Sequence, residues 1–445
     1  MSDLSNKVFE VFSVQPLKQD EMGMYVPLDK LRGVAQNEPR SIVEKIASYV
    51  QSAGATSHFT AHVLAGHKGS GKSTELVRLK HHLETQTPKF FVVHCMAEED
   101  IDRNDVDFPE VLIAIVRQLA KQIKEREQIA LEPGFFKKRF DWWKKIFTDE
   151  IEFEKLELAA AFLKISGAIK NSPTSREKVR KFMEPDSDNL LNAANEVIGK
   201  ATLELAKKGY DGLVLIVDDL DKMIVRPIGD GKVDSDQHLF LNRAPQMTGF
   251  KCHVIYTMPL SLAYSHSQQV KDRYNKRLPM IPMVKIKSVP PKSKDHKPGI
   301  EAMRRMIEER LKRIQVPFDQ VFQSEAVCEL LIKLSGGQPS ALMGMIPDAV
   351  ISEGLPISEQ SLERIRRENK RDYKRTLLRE DWEILEVIRS GKPFERNEKQ
   401  EERFRMLLES RALLQYVNDE EWYGLNPFVE LLEPPAGIKP DASKS

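Results

Sequence analysis

The run Gly66-His67-Lys68-Gly69-Ser70-Gly71-Lys72-Ser73 has the residue types and spacing of a phosphate-binding loop. Its glycines let backbone N–H groups close around an anion without Cβ clashes. Lys72 is the residue to reach the β- and γ-phosphates of a nucleotide, and the Ser73 hydroxyl is the one to ligate Mg2+. The expected nucleotide contacts therefore run from Gly66 through His67, Lys68, Gly69, Ser70, Gly71, Lys72 and Ser73 to Thr74. A second set of reactive residues stands far downstream, in Asp218-Asp219-Leu220-Asp221. Asp218 suits the magnesium shell, Asp219 suits a general base that orients the attacking water, and Asp221 is the substitute for that role.

Both sets need elements to aim them. Before the loop, Phe59 to Ala65 reads as a buried strand; after it, Leu76, Leu79 and Leu83 recur at helical spacing from Thr74 to Glu84. Strand, glycine-rich turn and helix is the context that makes the loop a site. The acids follow Leu213-Val214-Leu215-Ile216-Val217, an unbroken apolar run that predicts a strand buried on both faces. Carboxylates at the C-terminal edge of such a strand fall where ligands bind in open α/β sheets.

Further strands are expected at Lys89–Cys95 and His253–Thr257, and a helix from Ser41 to Gln51. Asp107 is the expected cap of another helix, with Pro109 and Glu110 in its first turn. Strands alternating with helices predict a parallel α/β sheet. Between about 134 and 175 lies an insertion in which Phe135, Phe136, Phe140, Trp142, Trp143, Ile146 and Phe147 mix with lysines and arginines. Such a mixture can stack on single-stranded nucleic acid, but it reads first as a core-facing helix with a solvated basic face. Ile151–Glu154 alternates like a strand, and Leu163–Gly167 is read the same way.

Composition sets limits. The chain has 445 residues and a formal net charge of +1, so it suggests several domains, and global charge does not point to nucleic acid. Cys95, Cys252 and Cys328 lack metal-ligand spacing and read as small buried hydrophobes in a reducing compartment. Asp3 and Glu10 interrupt the N-terminus, and no apolar run reaches the ~20 residues of a membrane helix. A cytoplasmic protein with no membrane contact is expected.

Past a Pro- and Lys-rich linker at 286–298, helices are expected at Gly299–Ile314, Val327–Leu334 and from Ser340 onward. A helix from Ser361 to Arg379 carries Arg364, Arg366, Arg367, Lys370, Arg371, Lys374, Arg375 and Arg379, giving one strongly positive face that could meet phosphates or an acidic surface. From Asp381 to about Leu432, two apolar-striped helices and a hairpin around Asn418-Asp419-Glu420 outline a winged helix. Its candidate recognition helix mixes Arg396, Lys399, Arg403 and Arg405 with glutamates, so it is weakly basic for reading DNA.

These motifs resemble those of P-loop ATPases of the STAND and AAA+ (origin-recognition-like) classes, over about residues 25–432. Leu334-Ser335-Gly336-Gly337-Gln338 spells the ABC-transporter signature, but it follows the acidic strand instead of preceding it, so that reading fails on order. Gly337-Gln338-Pro339 instead resembles the STAND motif whose proline touches the base. Origin-recognition ATPases usually add an arginine just after that proline; Ser340 stands there. The Leu31-Arg32-Gly33 piece is similar to the segment that lies over adenine.

The resemblance implies a P-loop NTPase domain at 36–288 after an N-terminal segment at 1–35. A helical lid at 298–360, a basic connecting helix at 361–379, a winged helix at 380–433 and a tail at 434–445 complete the expected division. It implies ATP and Mg2+ as cofactors; no guanine-reading Asn/Thr-Lys-x-Asp motif follows the acidic strand. It also implies a conformational switch, with Thr257 as γ-phosphate sensor and Arg243 as an arginine finger in a homo-oligomer. With a short N-terminal extension and no repeat array, an effector or sensor would be a separate protein of a defence or signalling system. The alternatives are a DNA-binding loader using the 364–379 helix or the wing, and a nucleotide-binding scaffold with little turnover.

Overall fold

A computed structural model describes residues 3–32, 41–53, 58–131, 158–183, 187–229, 231–290, 294–392, 394, 398–417 and 421–438. The chain divides into two compact units. One comprises Val43–Ala65 and Arg78–Pro279; the other comprises Met1–Ile42, Gly66–Val77 and Met280–Ser445.

In chain order strand β1 (Ala61–Gly66) leads through the glycine-rich loop into helix α1 (Lys72–Thr85), then β2 (Phe90–Met96), α2 (Phe108–Glu127), β3 (Gly212–Asp218) and β4 (His253–Thr257). These strands are all parallel and lie in the order β2-β3-β4-β1. Strand β4 therefore lies between β1 and β3. The register pairs Met96 with Asp218 and Val217 with Tyr256. Every residue of β3 is buried, as an apolar run in a parallel sheet requires.

Helix α2 opens as its sequence indicates. The Asp107 side chain accepts from the Phe108 N–H at 2.7 Å, and Glu110 reaches back to the Asp107 N–H at 3.1 Å. The expected strand at Leu163–Gly167 is instead part of a helix, Leu158–Asn171. Phe162, Ile165 and Ile169 are its buried apolar positions among the described residues, at spacings of three and four, so helical burial overrides the short alternation. Ile151–Glu154 and the aromatic run Phe135–Phe147 lie outside the described residues, as do Gly33, Arg396 and the expected hairpin turn Asn418-Asp419-Glu420.

In the other unit, helices Asp3–Val11, Lys297–Arg313, Glu325–Leu334, α3 (Pro339–Glu353) and α4 (Glu359–Thr376) share one core. Val8, Phe12, Met303, Ile307, Leu331, Leu342, Ile346 and Leu362 fill it. Beyond them stand α5 (Asp381–Arg389), α6 (Glu398–Glu409) and an antiparallel hairpin of β5 (Leu413–Val417) and β6 (Glu421–Leu425). Tyr416 and Trp422 stack across that hairpin and pack with Met283 and Leu414. All three cysteines are free and buried, as expected. Among the described residues no helix is long and apolar enough to cross a membrane.

Candidate nucleotide site

The loop at 66–73 has the backbone its glycines permit. Gly66, Gly69 and Gly71 have φ of +150°, +82° and +99°, a region that L side chains rarely enter. At Gly69 an added Cβ would lie 1.8 Å from Ser340 Oγ, so the glycine also admits a close neighbour.

The loop's carbonyls are engaged one after another. Lys72 Nζ donates to the carbonyls of Gly66 and His67, each at 2.8 Å. The Gln338 side-chain amide donates to Lys68 O at 2.8 Å, the Ser340 N–H to Gly69 O at 3.2 Å, and the Arg32 guanidinium to Ser70 O. The Ser70 hydroxyl, fully buried, has no hydrogen-bond partner among the described residues. His67 is buried, and its Nε2 accepts from the Gln415 N–H at 2.8 Å. Burial first, then the charges of Lys72 and Arg411, drive its pKa down to about 3.

Helix α1 carries the remaining expected contacts. Lys72 and Ser73 begin it. The Thr74 hydroxyl accepts from the Leu17 N–H at 3.3 Å, so in this state it serves the N-terminal segment. Pro339 occupies the first position of α3, between the two residues that hold Lys68 O and Gly69 O. Ser340, next after it, meets the loop directly through its backbone N–H.

In the other unit the acids at the end of β3 cluster. Asp218, Asp219 and Asp221 are all buried and each offers an oxygen within 4.8 Å of the others, a hard donor set of the kind magnesium takes. Asp218 Oδ1 accepts from the Asp219 N–H at 2.7 Å, which fixes the carboxylate on its own backbone. His94 Nε2, from β2, stands 3.5 Å from Asp218 Oδ2. Asp219 sits in the left-handed region at φ +69°. Burial and the neighbouring Asp218 raise its pKa, and the Lys222 ammonium at 2.6 Å opposes that rise.

Thr257 follows the Val217–Tyr256 pair at the end of β4. Its hydroxyl is fully buried and has no hydrogen-bond partner among the described residues.

Arg243 is not extended into solvent: its Nε is 3.6 Å from Asp107 Oδ1 and its side chain is 15% exposed. On α6, Arg403 forks onto Asp381 at 2.6 and 2.7 Å, so it serves as a counter-ion and is not a free reader of bases. On α4, Arg364, Arg366 and Arg371 have acidic neighbours on their own helix. Arg367, Lys370, Lys374 and Arg375 have no ion pair among the described residues and share one helical side.

Sequence reasoning did not single out His94, Lys222 or Gln415, and named Gln338 only as part of the motif ending at Pro339. Lys222 alone had a local signal, three residues after Asp219. The others meet their partners only through strand register or long-range packing.

A parallel sheet with a glycine-turned loop after its first strand and buried acids ending another defines an α/β protein of the P-loop type. No protein-family model matches the sequence, and no curated protein matches it. Among solved structures it is similar to the Walker-type ATPase PABY2304 of Pyrococcus abyssi, at 13% identity over 94% of this chain and 98% of that one, TM-score 0.43. It is also similar to Cdc6p from Pyrobaculum aerophilum, at 11% identity over 95% of each chain, TM-score 0.40. A third likeness is to the Drosophila ORC bound to DNA, at 12% identity over 97% of this chain and 92% of that one, TM-score 0.39.

Proposed function

We propose that the chain is a magnesium-dependent ATP-binding and ATP-hydrolysing conformational switch. The observation that carries this reading is the engagement of the loop carbonyls by Lys72, Gln338, Ser340 and Arg32, with His67 tied to the C-terminal hairpin. Carbonyls held outward leave the loop's N–H groups for an anion. Lys72 exchanges the carbonyls of Gly66 and His67 for the β- and γ-phosphates. That exchange loosens the loop's own bonds and changes what Gln338, Ser340 and Gln415 can hold. Bound nucleotide thereby shifts the population of lid and hairpin arrangements.

Ser73 and Asp218 are the residues that would hold Mg2+, with Asp219 or Asp221 orienting the attacking water and Thr257 sensing the γ-phosphate. The ion, when bound, would offset negative charge on the triphosphate. Pro339 contacts the base. An effector or sensor reads the switch, in a defence or signalling setting, and a homo-oligomer would supply an arginine in trans.

Two variants test this. Lys72→Ala should abolish ATP binding, and Asp219→Asn should bind ATP but not turn it over. If both hydrolyse ATP like the parent, the reading falls.

A second reading is favoured by Arg367, Lys370, Lys374 and Arg375 on one side of α4: contact with a nucleic-acid backbone. Reversing these four charges should then weaken DNA binding and flatten its salt dependence. Equal binding by parent and variant would remove this reading.

A further inference from the structure

The geometry points to Arg32 as a positioning residue that orients the Ser70–Gly71 peptide of the nucleotide loop; the inference rests on the nucleotide reading above. Arg32 is 2% exposed, an unusual burial for a guanidinium. Its place is fixed from several sides. Its own N–H donates to Leu28 O at 3.1 Å, and the preceding carbonyl, Leu31 O, accepts from the Lys285 N–H at 3.2 Å. Nη1 pairs with Glu75 Oε1 at 3.0 Å, and Nη2 donates to Ser70 O. Glu75, on α1, is also buried and accepts from the Tyr25 hydroxyl at 3.1 Å.

One planar fork therefore ties the loop to the first turn of the helix that follows it. A peptide is planar and trans, so its C=O and N–H point in opposite directions. Holding Ser70 O toward Arg32 turns the Gly71 N–H away from Arg32, to the side where an anion would be cradled. Gly71 makes the approach possible: a Cβ there would come within 2.9 Å of Nη2. A lysine could hold one of the two acceptors but not both in a fixed plane. Arg32 thus sets the direction of a donor without itself contacting phosphate.

The test is calorimetric titration of the full-length chain with ADP and with ATP·Mg, beside melting of the nucleotide-free protein. The variants are Arg32→Lys and the double variant Arg32→Met/Glu75→Gln, which removes the buried charge pair together. Affinity for both nucleotides should fall from parent to Arg32→Lys to the double variant, the last by about tenfold or more. Nucleotide-free melting of Arg32→Lys should stay near the parent's, and that lysine should recover part of the affinity. Equal affinity across parent and variants overturns the positioning role while leaving the nucleotide reading intact. Should the double variant not fold, Arg32→Lys with parent affinity overturns it alone. A parent that binds neither nucleotide overturns both.

Discussion

His67 and Gln415 are joined by a hydrogen bond in which the Gln415 backbone N–H donates to His67 Nε2 at 2.8 Å. The second residue of the loop is thereby fastened to the first strand of the C-terminal hairpin. The same hairpin is held at Tyr416, whose hydroxyl donates to Gly336 O at 2.6 Å just before helix α3. Nε2 can accept only while the imidazole is neutral, and burial keeps it so, with a pKa lowered from 6.5 to about 3.

That fixes a pH dependence. Between the unfolded value near 6.5 and the folded value near 3, the unfolded chain binds the proton and the folded one does not. Stability from this group is therefore complete above the unfolded value and is lost as pH falls. From pH 6.5 to 5 the loss is about 2 kcal/mol at 1.36 kcal/mol per unit. Buried His62, lowered to about 4 mainly by burial, adds a loss of the same sign in its own unit. His67→Gln keeps an acceptor but cannot titrate. Its melting temperature should fall less steeply between pH 7 and pH 5 than the parent's; parallel slopes would clear His67 of the effect.

Gly69→Ala should disturb the meeting of the loop with helix α3. The φ of +82° alone costs an L residue roughly 1–2 kcal/mol. The new methyl would also lie 1.8 Å from Ser340 Oγ. Melting should drop by several degrees, and Gly69→Ala/Ser340→Ala should recover part of the drop by removing the hydroxyl. Parent-like melting of the single variant would show that this contact is not made in solution.

What could be read from the chain beforehand follows from range. The β1–loop–α1 passage was legible because glycine positions, an apolar strand and a helical stripe all lie within a few turns of one another. The Asp107 cap was legible for the same reason, though the reciprocal bond from Glu110 was not foreseen. Leu163–Gly167 was ambiguous because a short apolar run fits both periods, and only the burial of Phe162, Ile165 and Ile169 decides for helix. The carbonyl partners Arg32, Gln338 and Ser340, like the His67–Gln415 bond, depend on packing between segments far apart in sequence. No local pattern encodes them. His94 meets Asp218 only because β2 and β3 pair in parallel with Met96 opposite Asp218.

Lys222 should restrain Asp219, the base proposed above. Its ammonium, 2.6 Å from Asp219 Oδ1, occupies an oxygen that a general base would need. It also opposes the pKa rise that burial and Asp218 impose on Asp219. Lys222→Met should leave ATP affinity within about twofold and raise turnover by about threefold to tenfold. As the base proposed above, Asp219 would act ionised, so removing the cation should move the acidic limb of the turnover profile to higher pH. A loss of turnover at unchanged affinity would instead make Lys222 a participant in the reaction. Turnover that stays at background in both proteins would favour a nucleotide-binding scaffold.

Arg403→Ala should strongly destabilise the C-terminal region. Asp381 is 1% exposed at the start of α5, where its Oδ2 already accepts the Leu378 N–H at 2.7 Å. Arg403 supplies the rest, with Nη2 on both carboxylate oxygens at 2.6 and 2.7 Å and Nε at 2.9 Å. Truncating the arginine strands a buried carboxylate, a change that costs about 3–5 kcal/mol in buried pairs. Asp381→Asn in the same background removes the stranded charge while keeping an acceptor for Leu378, so the double variant should be more stable than Arg403→Ala alone. Chemical denaturation of the two proteins separates the outcomes. If Arg403→Ala loses no stability but weakens DNA binding, the arginine belongs to a nucleic-acid surface, and its bond to Asp381 is incidental.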